Sequence, residues 1–399
     1  MVSRKSKPLA QDDRTYNYEG ECEHRAWVEV DRWAIANNVK QIRHLLSPET
    51  RFMAVIKADA YGHGAVSVAK IVSEIGVDDF AVATIPEGME LRRLGIQQPI
   101  LVLGAVHTAD EIKAIAHWGL QPTLCTPTQA LLFSETLQSI QRSLPVQLNI
   151  DTGMSRLGTW WEQALEFVQL VRGLPNLEIS GIYSHFATAD IRDRTIMDQQ
   201  HWRFQQVLAQ IQEHTSLLSV PTIKPCLHLA NSAATLTDRA LHYDMVRVGL
   251  SLYGLYPAPH LRSVINLQPA MSIRARITQI KTIEAGCGVS YGYKFIAKQR
   301  TPIAVVGIGY ADGVPRQLSN CMKVLIRGQF VPQIGAITMD QLMLDVTAIP
   351  DLQVGEVVTL LGSDRHHSIS ADDWAQQLGT ISWEILCGFK HRLPRILIN

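Results

Sequence analysis

Residues 51–103, RFMAVIKADAYGHGAVSVAKIVSEIGVDDFAVATIPEGMELRRLGIQQPILVL, set the pattern for the fold. FMAVIK is an apolar run ending at Lys57. A helical spacing over 62–75 follows it, then FAVA at 80–83, a second helical segment over 86–94, and ILVL at 100–103. Short apolar or β-branched runs alternating with longer helical patterns are the signature of a parallel sheet joined by helical crossovers. The alternation continues through PTLC at 122–125, VQLNI ending at Ile150, GIYSHF at 181–186, CLHL at 226–229 and DMVRV ending at Val248, with helical segments over 127–141, 160–173 and 197–213. Eight such strands fit an α/β fold of the closed (β/α)8 TIM-type barrel kind. An open doubly wound sheet is the alternative, since a single sequence does not show closure.

Beyond about Gln268 the helical periodicity fades. ARITQIKTIE, PIAVVGIG, KVLIRG, FVPQIG, LMLDV and EVVTLLG read as strands of a β-rich C-terminal domain. The expected division is a polar extension over 1–24, for which disorder is the default reading, a barrel domain over 25–267 and a β-domain over 268–399. WVEVD at 27–31 is left over from the count of eight, so the first strand, over 26–31, is expected to pair with the β-domain.

At 399 residues, 46% hydrophobic and 19% charged, the chain has the composition of a soluble globular protein of two or three domains. Lys plus Arg and Asp plus Glu both number 37, which gives no net field for nucleic acid or an anionic membrane and points to a small-molecule partner. No stretch approaches the roughly 20 apolar residues that span a bilayer. The start, MVSRKSKPLAQDDRTYNYEGECEH, lacks an apolar signal core, and a cytoplasmic location is expected. Cys22, Cys125, Cys226, Cys287, Cys321 and Cys387 are scattered, with no metal-ligand spacing, and read as reduced thiols; no metal site is expected.

A parallel barrel exposes its catalytic groups at the C-terminal ends of its strands. Lys57 stands there, in AVIKADAYGHGA; a lysine shielded from water loses part of its preference for charge and can serve as a Schiff-base amine. A solvated strand end or an ion pair is the plainer reading. Other strand ends carry DTGMSRLG at 151–158, His185 in YSHFATAD, LANSAA at 229–234 and RVGLSLYG at 247–254. Ser232 and the backbone of Gly249 and Leu250 follow the seventh and eighth strands, in the two loops where barrels commonly hold phosphate, and their hydroxyl and N–H groups suit a phosphate ester. Taken singly, Ser232 also fits a helix cap, His185 a satisfied core histidine and Arg247 an ion-pair partner. Their convergence on one rim favours cofactor binding.

These segments together resemble the alanine racemase family, from about Arg25 to the closing RLPRI. AVIKADAYGHGA is similar to the family's pyridoxal-5′-phosphate (PLP) attachment segment, and DTGMSRLG, YSHFATAD, NSAA, DMVRVGLSLYG, VSYG, GIGYADG and MDQ follow in the family's order. The resemblance implies a barrel and a β-domain in a head-to-tail homodimer, each active site borrowing residues from the other chain's β-domain. It makes Lys57 the Schiff-base lysine and one catalytic base, and Tyr291 the second, supplied by the other subunit. It sets Arg247 at the pyridine nitrogen and Arg156 at the phenolic oxygen of PLP. Tyr61, Ser232, Gly249 and Leu250 fall at the phosphate, and His185 falls beside Arg247 and Tyr291. The Met339 N–H, again from the partner, would hold the substrate carboxylate together with Arg156. The implied activity is interconversion of L- and D-alanine, supplying D-alanine for peptidoglycan.

The residue types suit the chemistry implied. Racemisation removes a proton from one face of the α-carbon and returns one to the other, so two acid–base groups must flank it. A phenol with an ordinary pKa of about 10 is a poor base at neutral pH, so Tyr291 needs positive charge or hydrogen bonding nearby, for which Arg247 and His185 are the candidates. A guanidinium keeps its proton, so Arg247 leaves the pyridine nitrogen unprotonated and the cofactor a weaker electron sink.

Three positions depart from the commoner family pattern. Asn149 stands where many members carry a carbamylated lysine that supports the arginine of DTGM, so Arg156 must be oriented by a bound anion or by Asn149 itself. Thr338 replaces a frequent cysteine, and Trp383 in TISWE replaces a tyrosine that reaches toward the phosphate. Rival readings are a basic amino-acid decarboxylase, which would favour an acidic residue where Arg247 stands, a non-catalytic PLP carrier, which would lack the β-domain, and a racemase of another small amino acid such as serine.

Overall fold

The computed structural model describes residues 24–217 and 224–399; apart from His24, the expected N-terminal extension lies outside the described residues, as does Cys22. The first described elements are β1 (Ala26–Asp31) and α1 (Arg32–Arg43), whose first turn is capped by the Asp31 carboxylate accepting from Ala34 N at 2.9 Å. There follow β2 (Arg51–Val55), α2 (Ala65–Glu74), β3 (Asp79–Val82), α3 (Ile85–Arg93), β4 (Ile100–Val102), α4 (Ala109–Trp118), β5 (Gln121–Leu124) and α5 (Pro127–Ser139). Then come β6 (Leu144–Asp151), α6 (Ala164–Gly173), β7 (Leu177–Tyr183), α7 (Thr195–Leu217), β8 (Cys226–His228), α8 (Ser232–Thr237) and β9 (Met245–Val248).

The parallel strands run in the order β9-β2-β3-β4-β5-β6-β7-β8. The ring is completed between its ends by two backbone hydrogen bonds, Asp244 N to Leu227 O at 3.0 Å and Arg247 N to Ala230 O at 2.9 Å. The sheet is therefore the closed barrel rather than the open alternative. Strands covered by helices on one side and by barrel interior on the other are buried on both faces, and β3 and β4 are buried at every position.

The strand ends differ from the sequence reading in two places that matter. β2 stops at Val55, two residues before Lys57, and β7 stops at Tyr183, so His185 lies in the loop beyond the strand rather than within it. After Ile56 the chain enters a left-handed turn: Ala58, Asp59 and Ala60 sit at φ 53–54° and ψ 47–50°, and Tyr61 at φ 55°. For an L-residue this conformation costs roughly 1–2 kcal/mol. Four in succession need support from outside the turn. The turn's own bonds, Ala60 N to Ile56 O at 2.9 Å and Gly62 N to Ala58 O at 3.0 Å, are supplemented at its entry by Glu87 Oε1, which accepts from Ala58 N at 2.7 Å.

The C-terminal part contains β10 (Met271–Ile283), β11 (Thr301–Val306), β12 (Lys323–Ile326), β13 (Gln329–Ile334), β14 (Leu342–Asp345), β15 (Val357–Asp364), β16 (His367–Ile369), α9 (Ala371–Leu378), α10 (Ser382–Gly388) and β17 (Arg395–Ile398). In β10, Met271, Ile273, Ala275 and Ile277 are buried while Ser272, Arg274 and Arg276 are only partly so, the period-two pattern of a strand with one face on a core. Antiparallel pairing follows the circuit β10–β11–β14–β13–β12–β15 and returns to β10, a small closed barrel of its own. β1 belongs to this second sheet. It pairs antiparallel with β10, Val28 opposite Ile273, and parallel with β17, Val28 opposite Arg395.

Candidate active site

The rim at the C-terminal ends of the barrel strands gathers most of the residues singled out from the sequence. Arg247, on β9, is buried at 4% exposure and spends its guanidinium on the barrel. Nη1 donates to His228 Nδ1 at 2.8 Å and His228 O at 3.1 Å; Nη2 donates to Ser184 O at 2.8 Å, His185 Nδ1 at 3.1 Å and Leu229 O at 3.2 Å. Among the described residues only its Nε–H has no partner. Burial pulls the guanidinium down to about 10, so it remains charged at neutral pH.

A protonated arginine fixes the state of both histidines that accept from it. His185 Nδ1 is an acceptor, so the ring proton sits on Nε2, and burial, then Arg247, hold its pKa at about 3. His185 can thus offer a hydrogen bond but not the positive charge that was expected of it beside Tyr291. His228 likewise accepts at Nδ1, and its Nε2–H donates to Gln147 Oε1 at 2.8 Å, while Gln147 Nε2 donates to Gln121 Oε1 at 2.7 Å. The Arg247 guanidinium carbon lies 5.1 Å from the centre of the Tyr183 ring, which stacks on His228. The sequence reading missed His228, Gln147 and Tyr183. A polar residue inside an otherwise apolar strand, as in CLHL and VQLNI, was the available signal.

Lys57 opens the left-handed turn. Burial, then the Arg156 charge, hold its ammonium below the usual lysine range, while Glu87 and Cys387 pull the other way. Tyr61 closes the turn; burial raises its hydroxyl above the ordinary phenol range, so it stays a proton donor. A side chain at Gly249 would place its Cβ 2.5 Å from Tyr61 Oη, so glycine there leaves room for the hydroxyl. Beside it, Ser232 Oγ accepts from Gly249 N at 3.0 Å and from Ser251 N at 3.4 Å, which leaves its own proton to donate elsewhere. The cap of α8 is the Asn231 side chain, accepting from Ala234 N at 3.0 Å, so Ser232 is not spent on capping. Leu250 N–H is buried and has no partner among the described residues. A cluster of N–H and O–H donors with no acceptor assigned to it suits an anionic oxygen group.

Arg156 faces Lys57, His185 and Tyr183 closely enough to influence their charges, yet neither its guanidinium nor the Asn149 amide makes a hydrogen bond among the described residues. Asn149, Arg156, Ser184 and His185 line one small cleft. The Trp383 side chain is half-buried against the core. The five described cysteines are free thiols. No helix among the described residues is long and apolar enough to cross a membrane.

Tyr291 and Met339 are not brought to this rim. Both stand on the β-domain, 72% and 52% exposed, beside Tyr293 at 68%. Tyr291 lines a cleft of about 860 Å³ whose walls, including Ser290, Thr338, Gln341 and Met343, all come from residues 278–343. Met339 N–H has no partner among the described residues. Its loop is held from behind: Met339 O accepts from Ala311 N at 3.0 Å, Thr338 O accepts from Tyr310 N at 2.9 Å, and Arg392 pairs with Asp340 at 2.7 Å.

Residues 30–257 match the family model of the alanine racemase N-terminal domain, and residues 270–397 that of the alanine racemase C-terminal domain. The chain is 62% identical over 374 residues to an alanine racemase of Nostoc sp. (strain PCC 7120), covering 93% of this chain and 95% of the relative. Its structure is similar to that of alanine racemase from Bacillus anthracis with bound L-Ala-P (TM-score 0.88, 35% identity, 95% of this chain and 96% of that one). It is also similar to that of alanine racemase from Bartonella henselae with covalently bound pyridoxal phosphate (TM-score 0.82, 29% identity, 94% and 100%).

Proposed function

The chain belongs to the alanine racemase family, an isomerase family, and from that premise we propose that it interconverts L- and D-alanine with PLP held on Lys57 and Tyr291 supplied by a second copy of the chain. The observation that carries the reading is the conjunction at one rim of a lysine with a depressed ammonium and a set of unassigned donors, Ser232 O–H, Tyr61 O–H and Leu250 N–H. These residues fit the cofactor. The donors would take its phosphate, Lys57 Nζ its aldehyde, Arg156 its phenolic oxygen, and the unpartnered Nε–H of Arg247 its ring nitrogen. PLP, when bound, supplies the electron sink that makes the α-proton of an amino acid removable.

The protein's part is orientation and proton custody. A depressed ammonium leaves a larger share of Lys57 as free amine at neutral pH, so Nζ can accept a proton on its side of the substrate. Arg247 keeps its own protons, since about 10 is well above neutrality, and cannot hand one to a ring nitrogen. His185, neutral with its proton on Nε2, is a fixed donor facing away from Arg247. Tyr291 would hold or return a proton on the opposite face, and Met339 N–H with Arg156 would hold the substrate carboxylate. The exposure of Tyr291 and Met339 supports the homodimer, because within one chain they are remote from the other groups. Provision of D-alanine for peptidoglycan in the cytoplasm belongs to the same proposal.

The test mixes protein and PLP with L-alanine in D2O and follows optical rotation and α-deuterium incorporation, with L-serine and L-lysine in parallel arms and Lys57→Ala beside wild type. Racemisation of alanine with deuterium uptake, lost at least about a thousandfold in Lys57→Ala, is expected. Reaction of serine but not alanine would correct the substrate. Binding of PLP with no turnover of any of the three would replace the racemase by a carrier.

A further inference from the structure

We propose that Arg395 is a positioning residue for Lys57: reaching across from β17, it grips the exit of the left-handed turn and so fixes where the Lys57 amine and the Tyr61 hydroxyl stand. Arg395 directs both Nε and Nη2 onto Gly62 O, at 3.1 and 2.9 Å. The rest of the fork is anchored on the segment after α10, Nη2 to Phe389 O at 2.6 Å and Nη1 to Lys390 O at 2.5 Å and Leu393 O at 2.8 Å. Asp59 Oδ2 lies 3.5 Å from Nη2, and the Arg395 side chain is 11% exposed. One guanidinium thus ties the turn's Gly62 carbonyl and Asp59 carboxylate to three carbonyls of the segment after α10, and only a planar five-donor group can do so.

The surroundings leave the turn few other ways to sit. A side chain at Gly62 would run into Leu386 O, and one at Gly64 would come within 3.3 Å of Arg395 Cγ, so α10 and Arg395 close directly over the glycines. His63 Nδ1, which faces Ala60 O at 2.9 Å and Tyr61 O at 3.1 Å, must carry its proton, because both partners only accept. Its ring stacks on Tyr253 at 4.4 Å. Asp59 Oδ1 accepts from Ala65 N at 2.7 Å, joining the turn to α2. The entry of the turn is held from within the barrel by Glu87. Among the described residues the exit carbonyl is held only by Arg395, from the other sheet.

Lys57 and Tyr61 are the two ends of this one turn, so a slip at the exit displaces both together. A role confined to stability predicts something different: a lower melting temperature with unchanged turnover per bound cofactor. Arg395→Lys separates the two, since an ammonium retains the charge and most of the packing but has no fork.

In cofactor-free Arg395→Lys, amide hydrogen exchange over residues 58–64 should accelerate at least about tenfold while the strands of both sheets keep wild-type protection. In the loaded enzyme, PLP should dissociate at least about tenfold faster and kcat should fall at least about tenfold, with KM for alanine within about threefold. Arg395→Ala should recover kcat on addition of guanidinium ion. Unchanged exchange over 58–64, or a loss of activity that follows melting alone, would overturn the proposal. It rests on Lys57 being the reactive amine, and the exchange measurement, made without cofactor, reads the clamp independently. If Lys57→Ala turns over like wild type, it is the reading of Lys57 that fails.

Discussion

Around Arg247 the polar groups, its Nε–H excepted, are matched inside the chain, whereas Tyr291, Tyr293 and Met339 stand in the open on the β-domain. The first region is buried and its protonation states are dictated by neighbours: an arginine with both terminal nitrogens occupied forces two histidines into single tautomers. The second exposes three large side chains, two of them, Tyr291 and Tyr293, lining a cleft, which is uneconomical for a surface with no partner. Under the proposed reading, the contrast is between a side of the reaction prepared within one chain and a side left to a second copy.

The strongest way to break this comparison is subunit mixing. Lys57→Ala and Tyr291→Phe, each at least about a thousandfold impaired alone, should regain about a quarter of wild-type activity when their chains are exchanged, because half the dimers are hybrids and each hybrid has one intact site. No recovery after demonstrated exchange would mean that Tyr291 acts in its own chain, or not at all.

Acid should reach the prepared side first. His63 is held neutral by burial down to about 4 and His228 well below its ordinary value. Between those values and about 6.5 the unfolded chain binds protons that the folded chain refuses, so stability is full above about pH 6.5 and falls as pH is lowered toward 4. These two alone give a slope of about 3 kcal/mol per pH unit, and His185, held at about 3, adds a third share of the same sign. Urea midpoints measured from pH 7 to 4.5 check it; a flat profile would mean that these histidines do not unfold as bases.

A smaller effect sharpens the comparison at the turn. Gly62→Ala, at φ 81° and against Leu386 O, should cost about 2 kcal/mol in chemical denaturation and weaken PLP retention. Gly286→Ala, at a similar φ but with open space around it, should cost about 1 kcal/mol and leave PLP retention unchanged.

Much of this was legible in the sequence, and the parts that were not have physical reasons. The barrel was visible because parallel strands buried on both faces leave continuous apolar runs, and Lys57, Ser232 and Arg247 because strand ends are where such barrels place chemistry. The left-handed turn was not visible: the sequence reading started a helix at residue 62, and nothing in Lys-Ala-Asp-Ala-Tyr marks four residues for a conformation that L-amino acids avoid. The Arg395 clamp was hidden because backbone carbonyls carry no sequence label. Closure of the β-domain strands into a barrel was equally hidden, since alternation reports faces and not partners. Asn149 itself was one of two supports expected for Arg156, and among the described residues the structure shows no hydrogen bond between them.

The placement of β1 bears on the order of events as the chain is made. Val28 leaves the ribosome early, yet its neighbours are Ile273 and Arg395, so the strand must wait unpaired while the whole first barrel is synthesised. Pairings of such long sequence separation are slow to close. A nascent chain arrested between the two sheets would present WVEV as an unmatched edge, which makes β1 the segment where a chaperone or a neighbouring nascent copy would first find a handle.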